Sequence, residues 1–330
     1  KISIDVATDI FMIATMTHEL PFPMKHLAAY TLCVLLCLSV LPEPVHASDG
    51  VSANGATFLA DGSVSALWHD RGIHFFSGSS SSYACEKSLP DFEALVRTGE
   101  DRTLVAGKSG AFLTLSQGCK WKQTGGAYAF DKVIGLYRDE FDTERVLIVY
   151  GDKASVAVSS DGGHTTDTTL LLSVSNVDFH WMVSRGSALL ITGRSRLDQS
   201  RLYWWTVDGG ESFESGTLGP GDDLRPWALN AAQAWVTVGT QLKSLELGSQ
   251  TLTEGAELPN VPVSMTLGAD DVLWLALGNE GLWSTPTADI SEITLERSGP
   301  ATWIQWHNDV LWLGTLASSW GEPILLRRSL

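Results

Sequence analysis

The chain has 330 residues, 44% of them apolar and 18% charged, with a formal net charge of −16. That apolar content excludes a disordered chain, and a pI near 4.8 disfavours a nucleic-acid partner, because an acidic surface repels a phosphate backbone. Length alone fits two domains, yet all-β barrels and propellers hold this many residues as one unit.

Residues 1–47 do not read as part of a fold. Met24, Lys25 and His26 make a short basic start, and Leu27 to Leu41 is an apolar run interrupted only by Thr31 and Ser39. Pro42 and Pro44 break any helix, and Val45 and Ala47 supply small residues at the −3 and −1 positions before Ser48. Those zones compose a secretory signal peptide over 24–47. Its apolar run is shorter than the roughly 20 residues of a bilayer span, so the mature chain is not expected to cross a membrane. Leu32 and Leu36, which precede Cys33 and Cys37, do not make a lipobox. Residues 1–23 lie upstream of the natural start and are read as a non-native extension. The expected product is a secreted domain, 48–330, either periplasmic or extracellular.

Removing the leader leaves Cys85 and Cys119. An isolated pair in an exported chain predicts a disulfide. No CxxC spacing accompanies it, so no zinc site, and no metal or cofactor of any kind, is expected.

A β-rich run ending in glycine then recurs along the chain. Its copies end at Gly107, Gly151, Gly193, Gly239, Gly278 and Gly314, spaced by 44, 42, 46, 39 and 36 residues. One period earlier lies Val64 to Trp68, a seventh copy without the glycine. Each unit reads as four short strands separated by Gly, Asp, Asn or Ser turns, with no helical period after Ser48. A period near 40 with four strands per unit predicts an all-β fold, a β-propeller. Seven inner-strand copies favour seven blades, with six as the alternative. The last unit ends one strand short, so a strand from about Gly50 to Asn54 is expected to close the ring. Trp181, Trp204, Trp205, Trp227, Trp235, Trp274, Trp283, Trp303, Trp306 and Trp312 fall in predicted strands and are assigned to packing between blades.

Three turns after third strands share a pattern. Thr206, Asp208, Gly210 and Phe213 form the fullest copy; Ser159, Asp161 and Gly163 form another, with Thr166 at the aromatic position. Thr114, Gly118 and Trp121 form a third, with Ser116 in place of the aspartate, and Ser77 to Tyr83 is an eroded fourth. The pattern resembles the Asp-box, or BNR repeat, of a propeller superfamily that includes sialidases, sortilin-type receptors and photosystem II assembly-factor-like proteins. In such a turn the carboxylate accepts local N–H groups and glycine supplies positive φ, so Asp161 and Asp208 are assigned structural roles.

The superfamily hosts enzymes and binders alike. A sialidase would imply an Arg-Ile-Pro element and an arginine clamp for a carboxylate; the nearest string, Arg225-Pro226-Trp227, lies mid-chain and lacks the isoleucine. His69 and His74 are the one close histidine pair, and Asp222 and Asp223 read as a solvated acidic turn. No catalytic residue is assigned.

The expected contact surface is the channel mouth formed by loops between second and third strands. Those loops hold Arg71, Lys108, Lys153, Arg194 and Arg196, with Trp320 in the longest. The resulting expectation is a monomeric, non-catalytic binding or scaffolding propeller whose partner is a protein or glycan. The alternative is a divergent, sialidase-like glycoside hydrolase.

Overall fold

The computed structural model describes residues 53–329, apart from 59–62, 70–71, 78–79, 86–91, 100–101, 116–117, 119, 125–128, 140–141, 143, 167–169 and 316–324. Blade 1 comprises β1 (Ala53–Phe58), β2 (Val64–His69), β3 (Gly72–Ser77) and β4 (Ser80–Cys85). Blade 2 comprises β5 (Phe92–Arg97), β6 (Thr103–Gly107), β7 (Gly110–Thr114) and β8 (Trp121–Thr124). Blade 3 comprises β9 (Val133–Arg138), β10 (Val146–Tyr150), β11 (Ser155–Ser159) and β12 (Leu170–Ser173). Blade 4 comprises β13 (Val177–Arg185), β14 (Ala188–Ser195), β15 (Ser200–Thr206) and β16 (Glu214–Pro220). Blade 5 comprises β17 (Arg225–Leu229), β18 (Gln233–Val238), β19 (Gln241–Glu246) and β20 (Thr251–Glu257). Blade 6 comprises β21 (Ser264–Leu267), β22 (Val272–Ala276), β23 (Leu282–Pro286) and β24 (Thr294–Arg297). A seventh sheet holds β25 (Trp303–His307), β26 (Val310–Gly314) and β27 (Leu325–Ser329).

Among the described residues six sheets are therefore four-stranded antiparallel blades, and the seventh has three strands. Every blade meets the next through its own apolar cluster. Leu104 and Leu113 face Val146 and Ile148 between blades 2 and 3, and Leu147 and Val149 face Phe179 and Leu189 between blades 3 and 4. The ring closes where Ala56 and Leu67 of blade 1 pack on Trp303 of the last sheet. Sheets covered on both faces read as continuous apolar runs instead of alternating ones; all five residues of β10 are buried. The outer strand β24, wet on one edge, is exposed throughout.

First strands contact first strands around the ring, so β1, β5, β9, β13, β17, β21 and β25 surround the axis. The glycine-terminated runs are consequently the second strands, as the placement of the loops after them between second and third strands requires. Their glycines answer two different demands. A Cβ on Gly193 would lie 2.4 Å from the Asp178 carbonyl oxygen of the neighbouring inner strand, whereas Gly239 adopts φ +58° in open space.

One expectation needs correction. Ala53 and Asn54 belong to β1, which pairs with β2 inside blade 1, so they do not complete the last sheet; Gly50 to Ser52 lie outside the described residues. Among the described residues the seam is held by side-chain packing. Trp227, Trp303 and Trp306 pack in the clusters between blades, as expected, and also border the central channel, because they sit on innermost strands. No helix among the described residues is long and apolar enough to cross a membrane.

Candidate functional site: the central channel and its two mouths

Antiparallel order puts the loops between second and third strands at one end of the channel. Hairpins between first and second strands, with turns between third and fourth, occupy the other end.

The first end holds the cations singled out from sequence, and two of those described, Arg194 and Arg196, are paired with carboxylates. Arg194 donates to Asp223 at 2.8 Å and to the Gly221 carbonyl at 2.6 Å. His180 Nδ1 lies 3.4 Å from the same Asp223 carboxylate. Arg196 forms a two-pronged ion pair with Asp178, with Nε to Oδ2 at 3.0 Å, and also reaches the Asp152 carbonyl at 2.9 Å. Hydrogen bonding from Arg196 holds the Asp178 carboxyl below its usual range. Lys108 and Lys153 are exposed on their loops. Arg71 and Trp320 lie outside the described residues.

The opposite end carries the three recurring turns. Asp161 accepts from Ser159 Oγ at 2.8 Å, Thr165 N at 2.9 Å and Thr165 Oγ1 at 2.6 Å, while Gly163 N donates back to Ser159 Oγ at 2.8 Å. Asp208 accepts from Glu211 N at 2.9 Å and Ser212 N at 3.1 Å, and Gly210 N reaches Thr206 Oγ1 at 3.1 Å. In the third turn Gly118 N reaches Thr114 Oγ1 at 3.0 Å. Phe213 packs against the cluster between blades 3 and 4, and Trp121 against Phe75 between blades 1 and 2. Both carboxylates are thus spent on their own turns. The residue just before a second strand clasps the next blade's turn: Arg102 reaches the Asp161 carbonyl and pairs with Glu144, and Arg145 reaches the Gly209 carbonyl and pairs with Asp139.

Between the two ends lies a cavity of about 620 Å³ lined mostly by the innermost strands. Its wall includes Trp68, Trp227, Trp303, Trp306 and Tyr137, together with Arg138, Arg185 and His307. No Asp or Glu is among the described lining residues, although the chain carries 38 of them. Ser264 and Thr266 face the cavity too, but their hydroxyls accept the Ile304 and Trp306 backbone N–H groups.

Arg97, Arg138 and Arg185 are the last residues of β5, β9 and β13, one register position in three successive blades. Arg138 donates to the Arg97 carbonyl at 2.7 Å. Arg185 extends past blade 5 to the Gly268 carbonyl at 3.4 Å. Burial lowers the Arg185 pKa, opposed by the charge of Asp271. These arginines were not assigned from sequence. Aligning the ends of the inner strands would reveal them, but the hairpins that follow run from two residues (186–187) in blade 4 to seven (139–145) in blade 3, which breaks their spacing. Among the described residues no group of three or more His, Cys, Asp or Glu is placed to hold a metal ion.

No protein-family model matches the sequence, and no curated protein matches it. Solved structures do match, at low identity. YCF48 from Cyanidioschyzon merolae superposes with TM-score 0.58 at 12% identity, over 87% of this chain and 97% of that one. BBS1N, solved in complex with ARL6DN, gives TM-score 0.57 at 12% identity, over 80% of this chain and 86% of that one. An ancestral GH74 enzyme gives 0.58 at 12% identity, over 84% of this chain and 44% of that one, so this chain spans under half its length. The likeness is one of fold: the chain is a β-propeller, an architecture found here in an enzyme and in a protein solved with a protein partner.

Proposed function

We propose that this protein is an exported, non-catalytic β-propeller that binds or scaffolds a partner, protein or glycan, through its central channel. The observation that supports this reading most is the channel wall, which is aromatic and cationic with no carboxylate among the described lining residues. Most glycoside hydrolases need two carboxyl groups flanking the bond they cleave. The aspartates of the recurring turns are engaged by local donors. Aromatic and arginine side chains around a concavity suit recognition.

A panel of fluorogenic glycosides, sialosides included, tests the reading. No turnover is expected; turnover abolished by Arg138→Gln or Arg185→Gln would replace the binder with a glycan-active enzyme.

Export and the Cys85–Cys119 bridge belong to the same proposal. Cys119 lies outside the described residues, but its neighbour Gly118 sits against Ala84, the neighbour of Cys85: a Cβ on Gly118 would be 2.7 Å from that of Ala84. A bridge there would tie blade 1 to blade 2 and constrain the unfolded chain. Intact mass of the exported protein, with and without reductant, is expected to show a chain starting at Ser48 with one reducible bond. Two free thiols would refute the bridge.

A further inference from the structure

We infer that the end of the channel on the turn side is a receptor for an organic carboxylate carried on a flat, apolar-faced body. The inference rests on the binding reading above and names the chemistry that the same site selects.

Two guanidinium groups set the preference for an anion. Arg185 lies across the channel end, and among the described residues its one hydrogen bond is to the Gly268 carbonyl at 3.4 Å. That bond is long and uses one of five donors. Asp271, on the hairpin that holds Gly268, acts on it electrostatically but forms no ion pair within 4.0 Å. Arg138, from the adjacent blade, spends one donor on the Arg97 carbonyl and has no carboxylate partner among the described residues. Guanidinium forks match carboxylate geometry and bind it through charge-assisted bonds. His307 adds a third polar group: Phe58 stacks on its ring at 4.3 Å between centroids, and its buried Nε2 has no hydrogen-bond partner among the described residues.

The rest of the wall sets the ligand's body. Trp227 and Trp306, both half-buried, offer ring surface, and the nearby Ser264 and Thr266 hydroxyls already hold backbone groups. A flat ligand face satisfies indoles at little polar cost, and about 620 Å³ lies within the usual size of small-molecule sites. The cation pairs at the opposite mouth, Arg194–Asp223 and Arg196–Asp178, have already spent their charge inside the fold. The turn-side end is therefore the anion-seeking one despite the chain's net −16.

The test uses the whole protein and two probe pairs: 6-fluoro-2-naphthoate against its carboxamide, followed by fluorine NMR, and glucuronate against glucose, followed by calorimetry. The first pair reads an aromatic acid and the second a sugar acid. At least one carboxylate is expected to bind about tenfold or more tightly than its neutral twin, with affinity falling as salt rises. Arg185→Gln and Arg138→Gln are each expected to weaken that carboxylate about tenfold and leave the neutral twin unchanged, while Arg196→Gln changes neither. The comparison of twins on the unaltered protein needs no variant and is independent of any folding defect. Equal binding of acid and neutral twin, no binding of either acid, or loss on Arg196→Gln instead would overturn the inference. Such a result without glycoside turnover leaves the binding reading standing, whereas turnover of glycosides removes that reading itself.

Discussion

Trp235→Ala is expected to destabilise the protein by about 3–5 kcal/mol, read as a shift of the urea unfolding midpoint. Trp235 is fully buried in β18, and its cluster joins Leu242 of blade 5 to Met265, Leu273 and Leu275 of blade 6. Deleting the indole leaves a void between two sheets that neighbouring blades hold apart. Trp306→Ala is the matched comparison, since Trp306 is half-buried and borders the channel. Its loss opens the channel without creating a closed cavity, so the cost should be clearly smaller. Equal losses at the two positions would mean that the channel wall is packed as tightly as the blade interfaces, and the site described above would lose its opening.

Asp208→Ala is expected to cost about 1–2 kcal/mol, a figure kept low because solvent reaches the turn. The substitution strands the Glu211 and Ser212 N–H groups and the Thr206 hydroxyl. It also loosens the turn that Arg145 clasps from blade 3. Partial burial pushes the Asp208 carboxyl up, but hydrogen bonds from Ser212, Thr206 and the Ser212 and Glu211 N–H groups outweigh it and hold the pKa at about 2. The folded value lies below the unfolded one. Stability from these bonds is therefore fully present above about pH 4 and is lost as pH falls towards and through 2. Asp208→Asn should flatten that part of the acid-unfolding profile. An unchanged profile between pH 4 and pH 2 would show that the carboxylate charge is not what the turn uses.

Much of the architecture was legible because a propeller repeats its local demands. Each second strand is covered on both sides, so residues such as Val146 to Tyr150 read as an unbroken apolar run. The approach of one inner strand to the next second strand excludes a side chain at Gly193, which keeps the period visible. The Asp161 and Asp208 turns were legible for the same reason: acceptor and donors lie within four residues of one another. The place of the glycine-ended runs within a blade was legible too: the loops that follow them do lie between second and third strands. The fate of the rim cations was not. Arg194 and Arg196 look available in a sequence, and only folding brings Asp223 and Asp178 to them.

By itself the sequence determined the radial stack of sheets, its period and its hydrogen-bonded turns, since each depends on contacts inside one repeat or on a pattern shared by all. Tertiary structure alone decided the seam between Ala56 and Trp303, the pairing of Arg194 and Arg196, and the gathering of Arg138, Arg185 and His307 around one channel with no Asp or Glu among its described lining residues. Those features join residues from different blades, and hairpins of unequal length between them erase any spacing that would announce the meeting.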